Sequence, residues 1–113
     1  MKWNINYYSD DLQKNVSMLP DTLLARYLKL TDLMQKYGPN LGMPHTRALG
    51  DGLFEIRLKG KEGIARVFYC TLIGNHICML HLFVKKTEQT PLRELRLAKT
   101  RMKEVKSHGK KIT

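Results

Sequence analysis

Between Leu53 and Val84, three strand-like segments follow one another with only short polar turns between them, which narrows the chain to folds built on an antiparallel meander. Leu53 to Leu58 sets Phe54, Ile56 and Leu58 against Glu55 and Arg57, and the polar run Lys59-Gly60-Lys61-Glu62-Gly63 turns the chain into a second strand, Ile64 to Ile73. Gly74-Asn75 reads as a two-residue hairpin, because both residue types tolerate the positive φ such a turn demands, and a third strand follows from His76 to Val84. With Ile73 opposite His76, Cys70 faces Met79 and Cys78 faces Thr71, so the two cysteines fall on opposite sides of the sheet and cannot bond. No CxxC motif or histidine cluster accompanies them, and they read as small buried hydrophobes.

The same register places Arg66, Phe68, Met79, His81 and Phe83 on one face and Val67, Tyr69, Cys78, Leu80 and Leu82 on the other. The second is the better core face. The first mixes charge, imidazole and aromatic rings, the composition of an exposed working surface.

Helical periodicity flanks this sheet. Trp3 to Tyr8 alternates as a first strand, and Ser9-Asp10-Asp11 starts a short helix carrying Leu12, Val16 and Met18. Pro20, preceded by Leu19, opens a longer helix to about Tyr37, with Leu23, Tyr27, Leu30, Met34 and Tyr37 on one stripe and Leu24, Leu28 and Leu33 widening it. Gly38-Pro39 stops that helix, and the density of breakers from Pro39 to Gly52 reads as a loop. After Lys85-Lys86-Thr87, Thr90 can cap a last helix with Pro91 in its first turn, an apolar stripe of Leu95, Ala98, Met102 and Val105, and basic remaining faces. A frayed tail is expected from Ser107. The expectation is one α+β domain over residues 1–113, ordered β-α-α-β-β-β-α: a small, twisted, antiparallel-rich sheet with two N-terminal helices and a basic C-terminal one.

Twenty Lys and Arg against ten Asp and Glu give a formal charge of +10. Solubility alone explains many basic proteins, but here the charge is uneven: from Lys85 onward ten cationic residues face only Glu88, Glu94 and Glu104. A polyanion or an acidic partner is therefore expected. Met1 is followed by Lys2-Trp3-Asn4, and neither a signal peptide nor a membrane-length apolar run is present, so a cytoplasmic protein without a membrane partner is expected.

No GxGxxG, Walker, HExxH, GxSxG or zinc-knuckle pattern occurs, which leaves the basic sheet face as the place for chemistry. RNA supplies its own nucleophile in the 2′-hydroxyl, so its cleavage needs mainly charge stabilisation, one proton acceptor and one donor. Arg57, Arg66, Lys85 and Lys86 are candidates for the charge, an arginine fork being suited to a phosphate. Glu55 and His81 are candidate proton carriers by residue type, although Glu55 can equally pair with Arg57 and a strand histidine is commonly structural. Phe68 and Phe83 are candidates for stacking a base, or for packing against a loop. Arg93, Arg96 and Lys99 on the last helix can grip phosphates, or form a solvated face.

The runs Tyr37-Gly38-Pro39-Asn40-Leu41-Gly42, Leu49-Gly50-Asp51-Gly52-Leu53-Phe54-Glu55-Ile56-Arg57, Arg66-Val67-Phe68-Tyr69 and Leu80-His81-Leu82-Phe83-Val84-Lys85-Lys86-Thr87, with Thr90-Pro91 and Ala98, resemble the HigB-like, phage-associated branch of the RelE/ParE toxin superfamily. The resemblance covers roughly Leu19 to Val105. It implies a β-α-α-β-β-β core with a C-terminal helix and a type II toxin–antitoxin toxin that cleaves mRNA in the ribosomal A site. It also implies an endoribonuclease that needs no metal or other cofactor. The implied partners are a cognate antitoxin with a helix-turn-helix DNA-binding domain, the ribosome and mRNA, with operator DNA reached only through the antitoxin. By the same resemblance Arg66 takes the place of the middle-strand, phosphate-binding arginine, Arg57 and Lys59 the basic sites of the preceding strand, and Lys85 and Lys86 the later basic positions. The chain departs from well-known members in having no Tyr or His near its C-terminal end for acid–base work, apart from His108 in the tail. Two rivals share the fold or the charge: a non-enzymatic toxin acting on DNA gyrase, and a nucleic-acid-binding module without catalysis.

Overall fold

The computed structural model describes residues 2–85 and 91–108. Along the chain run β1 (Asn4–Tyr7), α1 (Asp10–Ser17), α2 (Asp21–Tyr37), β2 (Thr46–Gly50), β3 (Leu53–Gly60), β4 (Gly63–Leu72), β5 (His76–Lys85) and α3 (Leu92–His108). The strands form one five-stranded sheet in the order β1-β5-β4-β3-β2. Only the β1–β5 pair is parallel. The α+β class read from the sequence is the class observed.

Local chemistry explains the helix starts. Ser9 accepts a hydrogen bond from the Leu12 N–H at 3.1 Å, and Asp10 and Asp11 sit in the positive first turn of α1. Pro20 gives α2 no side-chain cap, but Glu62, from the β3–β4 turn, accepts from the Thr22 N–H at 3.2 Å and ties that turn to the helix. Gly38, with φ of 102°, ends the helix in a conformation few side-chain-bearing residues adopt.

Each face of the sheet has its own core. Leu12 and Val16 of α1 and Leu23, Tyr27, Leu30 and Met34 of α2 pack on Ile56, Leu58, Ala65, Val67, Tyr69, Ile77 and Met79. On the opposite face Ala98, Met102 and Val105 of α3 cover Leu53, Phe68, Cys70, Cys78 and Leu80. The α2 stripe ends one turn earlier than its sequence implies, because Tyr37 is exposed, as is Leu28.

Four expectations need correction. The stretch read as a loop contains the edge strand β2, paired with β3 through Thr46↔Ile56, Arg47↔Glu55 and Ala48↔Phe54; much of it is exposed, and its backbone ladder holds it without an alternating apolar pattern. The β4–β5 turn takes three residues, since Leu72 pairs with His76, so that Tyr69 faces Met79 and Cys70 faces Cys78. An extra residue, Leu80, bulges from β5 and restores the expected register beyond it, with Phe68 opposite His81 and Arg66 opposite Phe83. The cysteines thus share a face; both are free and buried, and burial pushes their thiols up to about 11 (Cys70) and about 12 (Cys78). Finally, α3 continues through Ser107 to His108, past the expected start of the tail; residues 109–113 lie outside the described residues, as does the expected cap Thr90.

Candidate functional site

Alternation along adjacent strands gathers polar residues on the α3 face, toward the end of the sheet where α3 begins. The pairing registers align them in rows. Arg47, Glu55, Phe68 and His81 lie side by side across β2, β3, β4 and β5, and the next row holds Arg57, Arg66 and Phe83. Lys85 ends β5 opposite Ile64 and is described only through its backbone; Lys86 lies outside the described residues.

Glu55 is the pivot of the first row. Its side chain is 1% exposed, and its Oε2 accepts from Arg66 Nη1 at 2.7 Å and lies 3.2 Å from Arg47 Nε. A buried carboxylate needs paired cations to remain charged, and two guanidinium groups supply them. Glu55 is thus a brace: it holds Arg66, itself nearly buried, in one orientation. The alternative pairing with Arg57 does not occur among the described residues.

Arg57 and Arg66 sit directly opposite each other, an arrangement that like charges disfavour. Glu55 offsets the charge of Arg66. Arg57 forms no ion pair among the described residues, its Nη1 lying 3.9 Å from Met43 Sδ, and it is the cation of this pair left for an anion to neutralise.

His81 is held on two sides. Its Nε2 lies 2.7 Å from Glu94 Oε1, and its ring lies nearly parallel to Phe68 with centroids 6.2 Å apart. The His81 hydrogen bond holds the Glu94 carboxyl below its ordinary range, with the nearby charge of Arg93, 3.3 Å away, acting in the same direction. A carboxylate on one ring nitrogen fixes the imidazole's tautomer and orientation.

The other sequence candidates are distributed more widely. Phe68 is 1% exposed beneath α3, so the reading of its face as open surface is corrected: the apolar stripe of α3 needed a partner, and this face supplied it. Phe68 floors His81. Phe83 is half-buried at the edge of the same core, whereas Lys59, Arg93, Arg96 and Lys99 are exposed. Arg101 is committed to structure, donating to the Leu80 carbonyl at the bulge (2.9 Å) and lying over the Tyr8 ring. Sequence reasoning missed Arg47, hidden in the presumed loop, and Glu94, which no local pattern distinguishes from a solvated helix acid. Among the described residues, no three His, Cys, Asp or Glu side chains gather as a metal site, and no helix is long and apolar enough to cross a membrane.

Arrangement and chain path together define the RelE fold. A chain of the crystal structure of the archaeal RelE–RelB complex from Pyrococcus horikoshii superposes with a TM-score of 0.53 at 20% sequence identity, over 74% of this chain and 96% of that one. The profile of the family described as "Phage derived protein Gp49-like (DUF891)" matches residues 14–103. The protein belongs to this Gp49-like family, a family of RelE/HigB-type toxins, in agreement with the resemblance carried by its sequence motifs. Among curated proteins, none matches it.

Proposed function

We propose that the protein is the toxin of a type II toxin–antitoxin pair and acts in the cytoplasm as a ribosome-dependent, metal-independent mRNA endonuclease. The observation that carries this reading is the juxtaposition of Arg57, which forms no ion pair among the described residues, a braced Arg66 and a carboxylate-oriented His81 in adjoining rows at one end of a sheet face. Arg57 binds the scissile phosphate and offsets the charge that builds on it as the neighbouring 2′-hydroxyl attacks, and Arg66, held beside it by Glu55, adds positive potential from within the sheet. His81 takes the proton of the attacking 2′-hydroxyl and passes one to the 5′-oxygen released as its bond to phosphorus breaks, and Glu94 is its positioning residue. Phe83 offers a ring to a base, Lys59, Arg93, Arg96 and Lys99 supply general affinity for RNA, and Lys85 and Lys86 are proposed from the sequence as further cations for its phosphates. The structural neighbour is a complex of two proteins, RelE and RelB, which supports an antitoxin partner here, one carrying a helix-turn-helix domain that reaches operator DNA.

Primer extension on mRNA after induction, together with cleavage of a messenger on purified ribosomes, tests this reading. Discrete cuts are expected from the wild type. His81→Ala is expected to cut about 10²–10⁴-fold more slowly, the usual contribution of a positioned proton carrier. Intact transcripts with altered plasmid supercoiling would turn the reading toward a gyrase poison; binding without cleavage would turn it toward a nucleic-acid-binding module.

A further inference from the structure

A second basic feature adjoins the rows described above and shares Arg57 with them. β2 leaves β3 after Thr46↔Ile56, with one last backbone bond from Arg57 N–H to the His45 carbonyl at 2.9 Å, and a groove of about 640 Å³ opens there between α2, the 44–45 segment and β3. Arg26 and Lys29, one helical turn apart on α2, line it together with His45, Arg57 and Lys59, and among the described residues no carboxylate does. Its accessible apolar lining comes from Leu33, Pro44 and Ile64, over the buried Leu30 and Leu58.

We infer that this groove is the docking site of an acidic, amphipathic segment of the antitoxin, an inference that rests on the toxin–antitoxin reading and locates the contact. Charge complementarity favours an anionic occupant: cations approach from both the helix and the strand, and no described lining residue carries an opposite charge. The accessible apolar lining, Leu33, Pro44 and Ile64, decides between kinds of anion. A nucleic-acid strand needs cations and stacking rings, yet among the described residues no Phe, Tyr or Trp lines the groove. An amphipathic peptide buries apolar side chains against Leu33, Pro44 and Ile64 and sets its carboxylates against Arg26, Lys29 and Lys59. Arg57 belongs to this groove and to the sheet-face site alike, so a peptide seated here withdraws one phosphate-binding cation while leaving His81 and Glu94 uncovered.

The test uses the full-length toxin and the purified product of its adjacent reading frame. Isothermal titration compares wild type, R26E/K29E and, as a control of comparable charge change elsewhere, R93E/R96E. Arg26 and Lys29 are exposed and lie outside the proposed nuclease machinery, so R26E/K29E is expected to melt and cleave like wild type. It is expected to bind the antitoxin at least about tenfold more weakly and to escape neutralisation in cells, while R93E/R96E binds within about twofold of wild type. Equal affinity of wild type and R26E/K29E overturns the inference, as do equal losses in both variants. So does loss of affinity for a single-stranded oligoribonucleotide but not for the antitoxin, which would make the groove an RNA channel. A wild type that binds through the groove but cuts no mRNA would instead count against the nuclease reading alone.

Discussion

On the α1–α2 face of the sheet, Leu23, Tyr27, Met34, Ile56, Val67 and Met79 close a core that buries no charge among the described residues, and a Tyr7–Tyr27 hydroxyl pair at 2.7 Å bridges the part-buried edge of the strand to the helix. On the α3 face, Leu53, Leu80, Ala98 and Met102 share the interior with the Glu55–Arg66 pair, and His81–Glu94 sits at its margin. The first face is assembled from parts that stabilise. The second accepts groups whose desolvation cancels much of their attraction, and a well-packed apolar pair of similar size would serve stability as well or better. The difference teaches that the second face keeps groups that folding alone does not require.

Breaking the buried pair gives the largest expected effect. Glu55→Ala removes the 2.7 Å carboxylate partner of the nearly buried Arg66, and a loss of about 3–5 kcal/mol in denaturant unfolding is expected. The sharper measurement is the double variant E55L/R66M. If the pair is held for function, the double variant recovers most of that stability while its cleavage of ribosome-bound mRNA falls far below wild type. A double variant as unstable as Glu55→Ala would mean that the pair is structural, and that the contrast between the faces is only one of composition.

Leu23→Ala probes the other face. Leu23 is fully buried between α2 and the sheet, and its truncation is expected to cost about 2–5 kcal/mol through lost burial and a residual cavity. Cleavage per folded molecule, measured well below the lowered melting temperature, should be unchanged. A fall in specific activity would show that the α1–α2 core positions the site through the sheet and would weaken the separation of roles.

The same contrast explains how much was legible in advance. The α1–α2 face could be read almost whole: alternation in β3 and β4 and the stripe from Leu23 to Met34 name its core, since apolar burial leaves a periodic trace. Arg66, Phe68, His81 and Phe83 were also correctly placed on one face. What sequence could not show was the cover on that face. The stripe Leu95, Ala98, Met102 and Val105 announced that α3 must bury something, but its docking on Phe68 and Leu80 is a long-range choice with no local signature. The bulge at Leu80 was likewise silent, because only pairing reveals that one strand holds an extra residue. Strand β2 was hidden by Gly50, the breakers around it and its exposed residues, and with it went Arg47 and the end of the cationic groove. Ionic partners come last: Glu94 reaches His81 across 13 positions and a change of element, a contact that exists only once α3 has docked.

The smallest expected effect sharpens that last point. His81 and Glu94 are part-buried, so water screens their interaction, and Glu94→Gln, which keeps a hydrogen-bond acceptor but removes the charge, is expected to cost only about 0.2–1 kcal/mol. Its pH dependence carries the sign. The folded-state pKa of Glu94 lies below the ordinary 4.5, so the folded protein binds this proton less readily than the unfolded chain does. Its contribution is fully present above about 4.5 and disappears as the pH falls through the depressed folded value. The stability gap between wild type and Glu94→Gln should therefore be level at neutral pH and close on acidification below 4.5, as read by urea unfolding at a series of pH values. If Glu94 also orients the imidazole for catalysis, Glu94→Gln should in addition change the pH profile of cleavage and lower kcat more than it raises KM. A flat stability gap with an unchanged profile would reduce the pair to an ordinary helix-to-sheet contact and leave His81 without its positioning partner.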